Sequence, residues 1–273
     1  MTKAHQLVAE QLSAGYGDKI ILNDLSIDIQ PGKITSIVGA NACGKSTLLK
    51  TIARLISPSE GQVLLDGKSV HHVATKILAK TLGLLPQAPI APEGITVGDL
   101  ISRGRHPHQG LMSRWSKKDD EAVAQALDAT KITDLIDREV DELSGGQRQR
   151  VWIAMALAQE TDILLLDEPT TFLDVTHQIE VLDLLVDLNI KKGITIVMVL
   201  HDLNLASRYS DYLLAMNKGS VQAHGAPDLI LNTEMIKSVF GLNSHVINDP
   251  VTQKPMMIPI GRHKLGGNFS CKR

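Results

Sequence analysis

The chain has 273 residues, of which 28 are basic and 30 acidic, and two are cysteines, Cys43 and Cys271. So even a balance of charge excludes the broad basic surface that a nucleic-acid backbone requires, and nucleic acid is not an expected partner. Two cysteines give no disulfide framework, which points to a reducing compartment.

The first ten residues lack a charged segment leading into an apolar one, so the chain is expected to stay in the cytoplasm. The longest apolar runs, 163–166 and 194–200, are far shorter than the ~20 residues that cross a bilayer. Any membrane role has to be borrowed from a partner.

In chain order, 6–12 and 20–29 read as strands, separated by turn signals at Gly15, Tyr16, Gly17 and Asp18 and followed by Pro31-Gly32. Residues 34–38 form a nearly continuous apolar strand, as suits one covered on both faces. Gly39 to Thr47 then leads into a helical pattern through Leu48, Leu49, Ile52 and Ile56. Apolar strands recur at 82–85, 163–166 and 194–200, with helical patterns between, which predicts an α/β fold around a mainly parallel sheet. From about 95 to 160 the pattern is helical, with Ser116 and Asp119 spaced as a capping box, and reads as an inserted helical subdomain. Short strands at 212–216 and 221–223 and a helix near 233–240 follow. The end is punctuated by Pro250, Pro255 and Pro259, and 266–273 reads as loose.

Three segments carry chemistry. Gly39-Ala40-Asn41-Ala42-Cys43-Gly44-Lys45-Ser46 fits the phosphate-loop spacing G-x-x-x-x-G-K-[ST], between a strand and a helix as that mechanism demands. Its backbone N–H groups and the helix N-terminus can surround phosphate oxygens, Lys45 can reach the β- and γ-phosphates, and Ser46 can meet Mg²⁺. The strand 163–166 delivers Asp167 and Glu168 at its C-terminal end, where open α/β sheets place ligands. There Asp167 suits the metal and Glu168 the attacking water. Leu143-Ser144-Gly145-Gly146-Gln147 opens a helix: Ser144 and Gln147 have capping-box spacing, and the two glycines leave backbone N–H groups bare for phosphate.

These segments, in this order and with the later His201, resemble the ATP-binding cassette (ABC) ATPases from Leu7 to about Arg262. The resemblance implies a P-loop NTPase cassette with an N-terminal antiparallel β-subdomain, one domain over 1–262 and a tail at 263–273. It implies a head-to-tail homodimer with ATP and Mg²⁺ between one copy's phosphate loop, continued by Thr47, and the other's Ser144–Gln147 segment. It makes Gln87 a contact for metal and water that senses the membrane partner, Asp174 a contact to the opposite copy and His201 a contact for the γ-phosphate. Tyr16 falls where the family stacks adenine. Ala40 and Ala42 depart from the common pattern, and Ala42 should either be right-handed or carry mild strain.

Gln87, the run Glu93 to Val97, Arg103 to His108, Trp115, Thr170 to Asp174 with His177-Gln178, and His201 to Asn204 resemble in particular the ATPases of bacterial iron-chelate importers of the enterobactin type. That implies integral-membrane permease subunits, a periplasmic or surface substrate-binding protein, and a peripheral place on the cytoplasmic face of the inner membrane. Haem and cobalamin importers share much of the pattern. An exporter motor, a soluble cassette protein of DNA repair or translation, and a phosphate-loop kinase are the competing classes. Arg103 to His108 reads either as a solvated basic turn or as part of the surface that receives the permease.

Overall fold

The computed structural model describes residues 4–110 and 115–261. The expected tail at 263–273, Arg262 and Cys271 lie outside the described residues, as do residues 111–114 of the helical region. The order is β1 (Leu7–Tyr16), β2 (Lys19–Ile29), β3 (Ile34–Gly39), α1 (Lys45–Ile52), β4 (Glu60–Leu65), β5 (Lys68–Ser69), α2 (Thr75–Thr81) and β6 (Leu82–Leu85). The helical region holds α3 (Val97–Ser102), α4 (Lys117–Thr130) and α5 (Gly145–Ala158), with short 3₁₀ turns between them. Then come β7 (Ile163–Leu166), α6 (Val175–Lys192), β8 (Thr195–Val199), α7 (Leu203–Tyr209), β9 (Tyr212–Asn217), β10 (Ser220–Gly225), α8 (Pro227–Ile230), α9 (Thr233–Phe240), β11 (Ser244–Asn248) and β12 (Pro255–Pro259).

The central sheet has six strands in the order β10-β9-β3-β8-β7-β6, with β9 through β6 parallel and β10 antiparallel at one edge. Its continuous apolar strands have a direct cause. Along β7, Ile163 and Leu165 enter one hydrophobic core while Leu164 and Leu166 enter the other. β8 divides in the same way, with Ile196 and Met198 on one side and Val197 and Val199 on the other. Side chains alternate across a strand, so a strand buried on both faces has no polar positions to show.

A second, antiparallel sheet has the order β2-β1-β4-β5. β1 runs past the glycine turn expected at residue 15 and reaches Tyr16, which pairs with Lys19, so the turn is only two residues long. The proline-punctuated end, to which no strand was assigned from sequence, holds the hairpin β11–β12, with Val246 opposite Met257. Pro255 and Pro259 sit at the two ends of its second strand, where a missing N–H is tolerated. Among the described residues, no helix is long and apolar enough to cross a membrane.

Candidate functional site

β3 is buried throughout and ends at Gly39, directly before the loop that leads into α1. Gly44 caps α1 at φ +106, a backbone region closed to residues with a Cβ, and a Cβ there would lie 2.9 Å from Leu22 Cδ2. Ala42 has φ +61, so it is not right-handed, and of the two expectations for this position the one of mild strain stands. Lys45 is 5% exposed, and its Nζ donates to the carbonyl oxygens of Gly39 at 2.9 Å and Ala40 at 3.1 Å. The ammonium is thereby held over the loop, where an incoming anion would meet it. Cys43 is buried and belongs to the apolar core; burial pushes its thiol up, against the opposing effect of Lys45.

β6 and β7 lie side by side, with Leu85 in register with Leu166, so the residues that follow them emerge together. Asp167 is 3% exposed and accepts from Ser46 Oγ at 2.9 Å. Burial pushes its carboxyl up from the ordinary range; the Ser46 bond opposes this and neighbouring Glu168 reinforces it.

Glu168 is approached by three side chains, two of which donate hydrogen bonds to it. Gln87 Nε2 donates to its Oε2 at 2.5 Å, Thr171 Oγ1 donates to the same oxygen at 3.0 Å, and His201 Nε2 lies 2.7 Å from Oε1. Gln87 follows β6 and His201 follows β8, the two strands that flank β7. A carboxylate so held is fixed in direction. Asn41, Lys45, Ser46 and Thr47 line one wall of a cleft of about 450 Å³, Gln87, Glu168 and His201 line another, and Tyr16 stands at its rim, 52% exposed.

Ser144 to Gln147 does not line that cleft within the single chain. The expected capping box is present: Gln147 N donates to Ser144 Oγ at 3.3 Å and Ser144 N to Gln147 Oε1 at 3.1 Å. The two glycines differ. A Cβ on Gly145 would meet nothing within 4 Å, whereas one on Gly146 would lie 2.5 Å from the His177 ring. That ring is fixed by a 2.7 Å bond between its Nδ1 and Asp174, and Asp174 also accepts from the His177 backbone as the cap of α6.

Within the basic segment 103–108, Arg103 and His106 are exposed, but Arg105 departs from both readings. It is 3% exposed, and its guanidinium donates to Asp119 at 2.9 Å, Glu160 at 2.6 Å and the Ala158 carbonyl at 2.7 Å, tying α4 to the end of α5. It is neither solvated nor available to a partner. Lys19, Ile21 and Thr171 were missed by sequence reading. Thr171 stands three residues after Glu168, within reach of its carboxylate through a tight turn in which Thr171 N donates to Glu168 O.

The family model described as "ABC transporter" matches residues 22–171. The chain belongs to the ABC transporter family. This ABC chain is 54% identical over 253 residues to the probable siderophore transport system ATP-binding protein YusV of Bacillus subtilis (strain 168), covering 93% of this chain and 92% of the relative. It is 52% identical over 257 residues to the ferric enterobactin transport ATP-binding protein FepC of Escherichia coli (strain K12), covering 94% and 95%. Its fold superposes with a TM-score of 0.82 on a solved inward-facing ABC transporter assigned to the metal-chelate type, at 30% identity over 94% of this chain and 98% of that one. The mixed central sheet, antiparallel N-terminal sheet and helical segments are those of an ABC cassette.

Proposed function

We propose that this ABC chain is the ATP-hydrolysing subunit of an importer, and that it energises uptake of an iron–siderophore complex through a separate permease. The observation that carries this reading is the match to siderophore and ferric enterobactin transport subunits along nearly their whole length, at 54% and 52% identity. The chemistry of the cleft agrees with it.

In this reading the loop Gly39, Ala40, Asn41, Ala42, Cys43, Gly44, Lys45, Ser46 and Thr47 holds the triphosphate, through backbone N–H groups and the Lys45 charge. Tyr16, exposed at the rim, offers its ring face to adenine. Glu168 accepts the proton of the attacking water, while His201 and Gln87 fix its carboxylate and reach toward the γ-phosphate. A second copy presents Ser144, Gly145, Gly146 and Gln147 to the open side of the cleft. The exposure of Phe172 at 93% and Val175 at 74%, on either side of Leu173 and Asp174, suits a surface covered by that copy.

The donor set fits Mg²⁺: the Ser46 hydroxyl and Asp167 carboxylate are hard oxygen ligands 2.9 Å apart, with the Gln87 amide oxygen as a third candidate. Bound Mg²⁺ supplies charge neutralisation on the β- and γ-phosphate oxygens. One domain over 1–262, with the helical part at 95–160 inserted in it, carries the site. The subunit sits peripherally on the cytoplasmic face of the bacterial inner membrane, as a homodimer beneath permease subunits that a periplasmic or surface binding protein supplies.

Glu168→Gln tests the assignment of the water-activating group. Binding of ATP should persist while turnover falls about 10³-fold, because the substitution removes the proton acceptor and leaves the shape. Hydrolysis at the wild-type rate would sink the assignment.

A further inference from the structure

Helix α7 starts two residues after His201 and has only seven residues. Two turns of helix do not hold themselves together in water, so the pose of α7 is set by what it is tied to. At its start, Asp202 accepts from the backbone N–H groups of Asn204 at 2.8 Å and Leu205 at 2.9 Å. This cap lies next to His201 in sequence.

Leu203 and Ala206 are buried in the main core, and Tyr209 Oη donates to Asp183 in α6 at 2.9 Å, while the polar side chains on the remaining face bond to the C-terminal hairpin β11–β12. Asn204 pairs with the backbone of Met257 as a strand would: its Nδ2 donates to Met257 O at 3.1 Å, and Met257 N donates to its Oδ1 at 2.7 Å. Ser207, fully buried, donates to Pro255 O at 2.7 Å. Arg208 donates through Nε at 3.0 Å and Nη2 at 2.6 Å to Asp249 Oδ2. Asp249 is 5% exposed and is itself held by Val251 N at 3.0 Å and Thr252 Oγ1 at 2.7 Å. Positions 204, 207 and 208 are spaced i, i+3 and i+4, so one face of the helix carries the bonds to the hairpin. The hairpin lies wholly outside the segment 22–171 that the family model matches.

We propose that the hairpin is a positioning element for His201: through Asn204, Ser207 and Arg208 it sets the pose of α7, and through the Asp202 cap it holds the imidazole against the Glu168 carboxylate. Asn204 and Arg208 are thus positioning residues for ATP hydrolysis, although neither reaches the cleft. The inference rests on the roles given above to His201 and Glu168.

The test uses the purified full-length chain. In Asn204→Ala, kcat for ATP should fall about tenfold while KM for ATP stays within about twofold, the mark of an interaction that matters in the transition state and not for binding. Arg208→Ala should behave alike and Arg208→Lys should recover most of the loss, which gives a second route if Asn204→Ala does not fold. The imidazole ¹⁵N resonances of His201 in histidine-labelled protein should shift in both alanine variants. Folded alanine variants with kcat within about twofold of wild type and unmoved His201 resonances would overturn the proposal. His201→Ala separates the layers. If it keeps full turnover, the role of His201 fails and the hairpin's role with it; if it loses turnover while the α7 variants do not, only the hairpin's role fails.

Discussion

Two residues beside the cleft stand in left-handed backbone: Glu168 at φ +56 and Ala42 at φ +61. For a residue with a Cβ this region costs roughly 1–2 kcal/mol, and at Glu168 the hydrogen bonds from Gln87 and Thr171 and the close approach of His201 are there to offset it. Ala42 has no such side-chain ties. Ala42→Gly should therefore stabilise the chain by about 0.5–1 kcal/mol, the strain relieved less the entropy that glycine adds to the unfolded chain. A shift of the urea midpoint upward at constant m-value would show it, and a downward shift would mean that the loop carries no strain. Single residues were the most legible scale, because Lys45, Ser46, Asp167 and Glu168 fall in short motifs whose chemistry depends on near neighbours. Thr171 escaped because its part depends on a turn that positions its hydroxyl at 3.0 Å from a carboxylate, which no spacing rule states.

At the level of elements, the paired glycines at the start of α5 do different work. Gly145 faces open space, so Gly145→Ala should be neutral or stabilising by up to about 1 kcal/mol through helix propensity. Gly146→Ala drives a methyl into the His177 ring, which its bond to Asp174 holds in place, and should cost about 1–3 kcal/mol. Thermal or urea unfolding of the two variants checks the contrast, and restoration of Gly146→Ala by His177→Ala would locate its cause in that contact. Sequence reading credited both glycines to backbone exposure; the packing of α6 against Gly146 lies 31 residues away and leaves no local trace.

Arg105 is the matching case for a charge. Its partners Asp119 and Glu160 are 14 and 55 residues on, so in sequence it looked like one member of a basic turn. Arg105→Ala should cost about 3 kcal/mol, because it strands a buried carboxylate. The Asp119 carboxyl is held down to about 2 from an ordinary 3.8, first by Ser116 and then by Arg105. A depressed folded value means that its stabilisation is fully present above the ordinary value and is lost as pH falls toward about 2. Asp119→Asn should thus flatten the acid limb of the stability profile in that window, while a variant with the wild-type slope would contradict the pairing.

Across the whole molecule, the parallel sheet was legible because doubly buried strands tend to announce themselves as apolar runs; β7 and β8 do so, while β3 is buried as fully but carries Thr35 and Ser36 between its apolar residues. β4 and β12 did not announce themselves. β4 opens with three exposed residues and β12 is bounded by prolines, so each shows an apolar run of only three residues, Val63 to Leu65 and Met256 to Ile258, shorter than the runs that mark a strand. What no local pattern could give is the meeting of Gln87, Thr171 and His201 on Glu168, which follows from strand order: β6, β7 and β8 are neighbours in space and far apart in sequence. The central claim, that this assembly drives uptake through a separate membrane protein, is tested most directly by purifying the chain from detergent-solubilised native membranes and identifying its companions by mass spectrometry. The account predicts a polytopic permease of the iron-chelate family. Recovery only from the soluble fraction, with ribosomes or DNA-repair proteins, would contradict it.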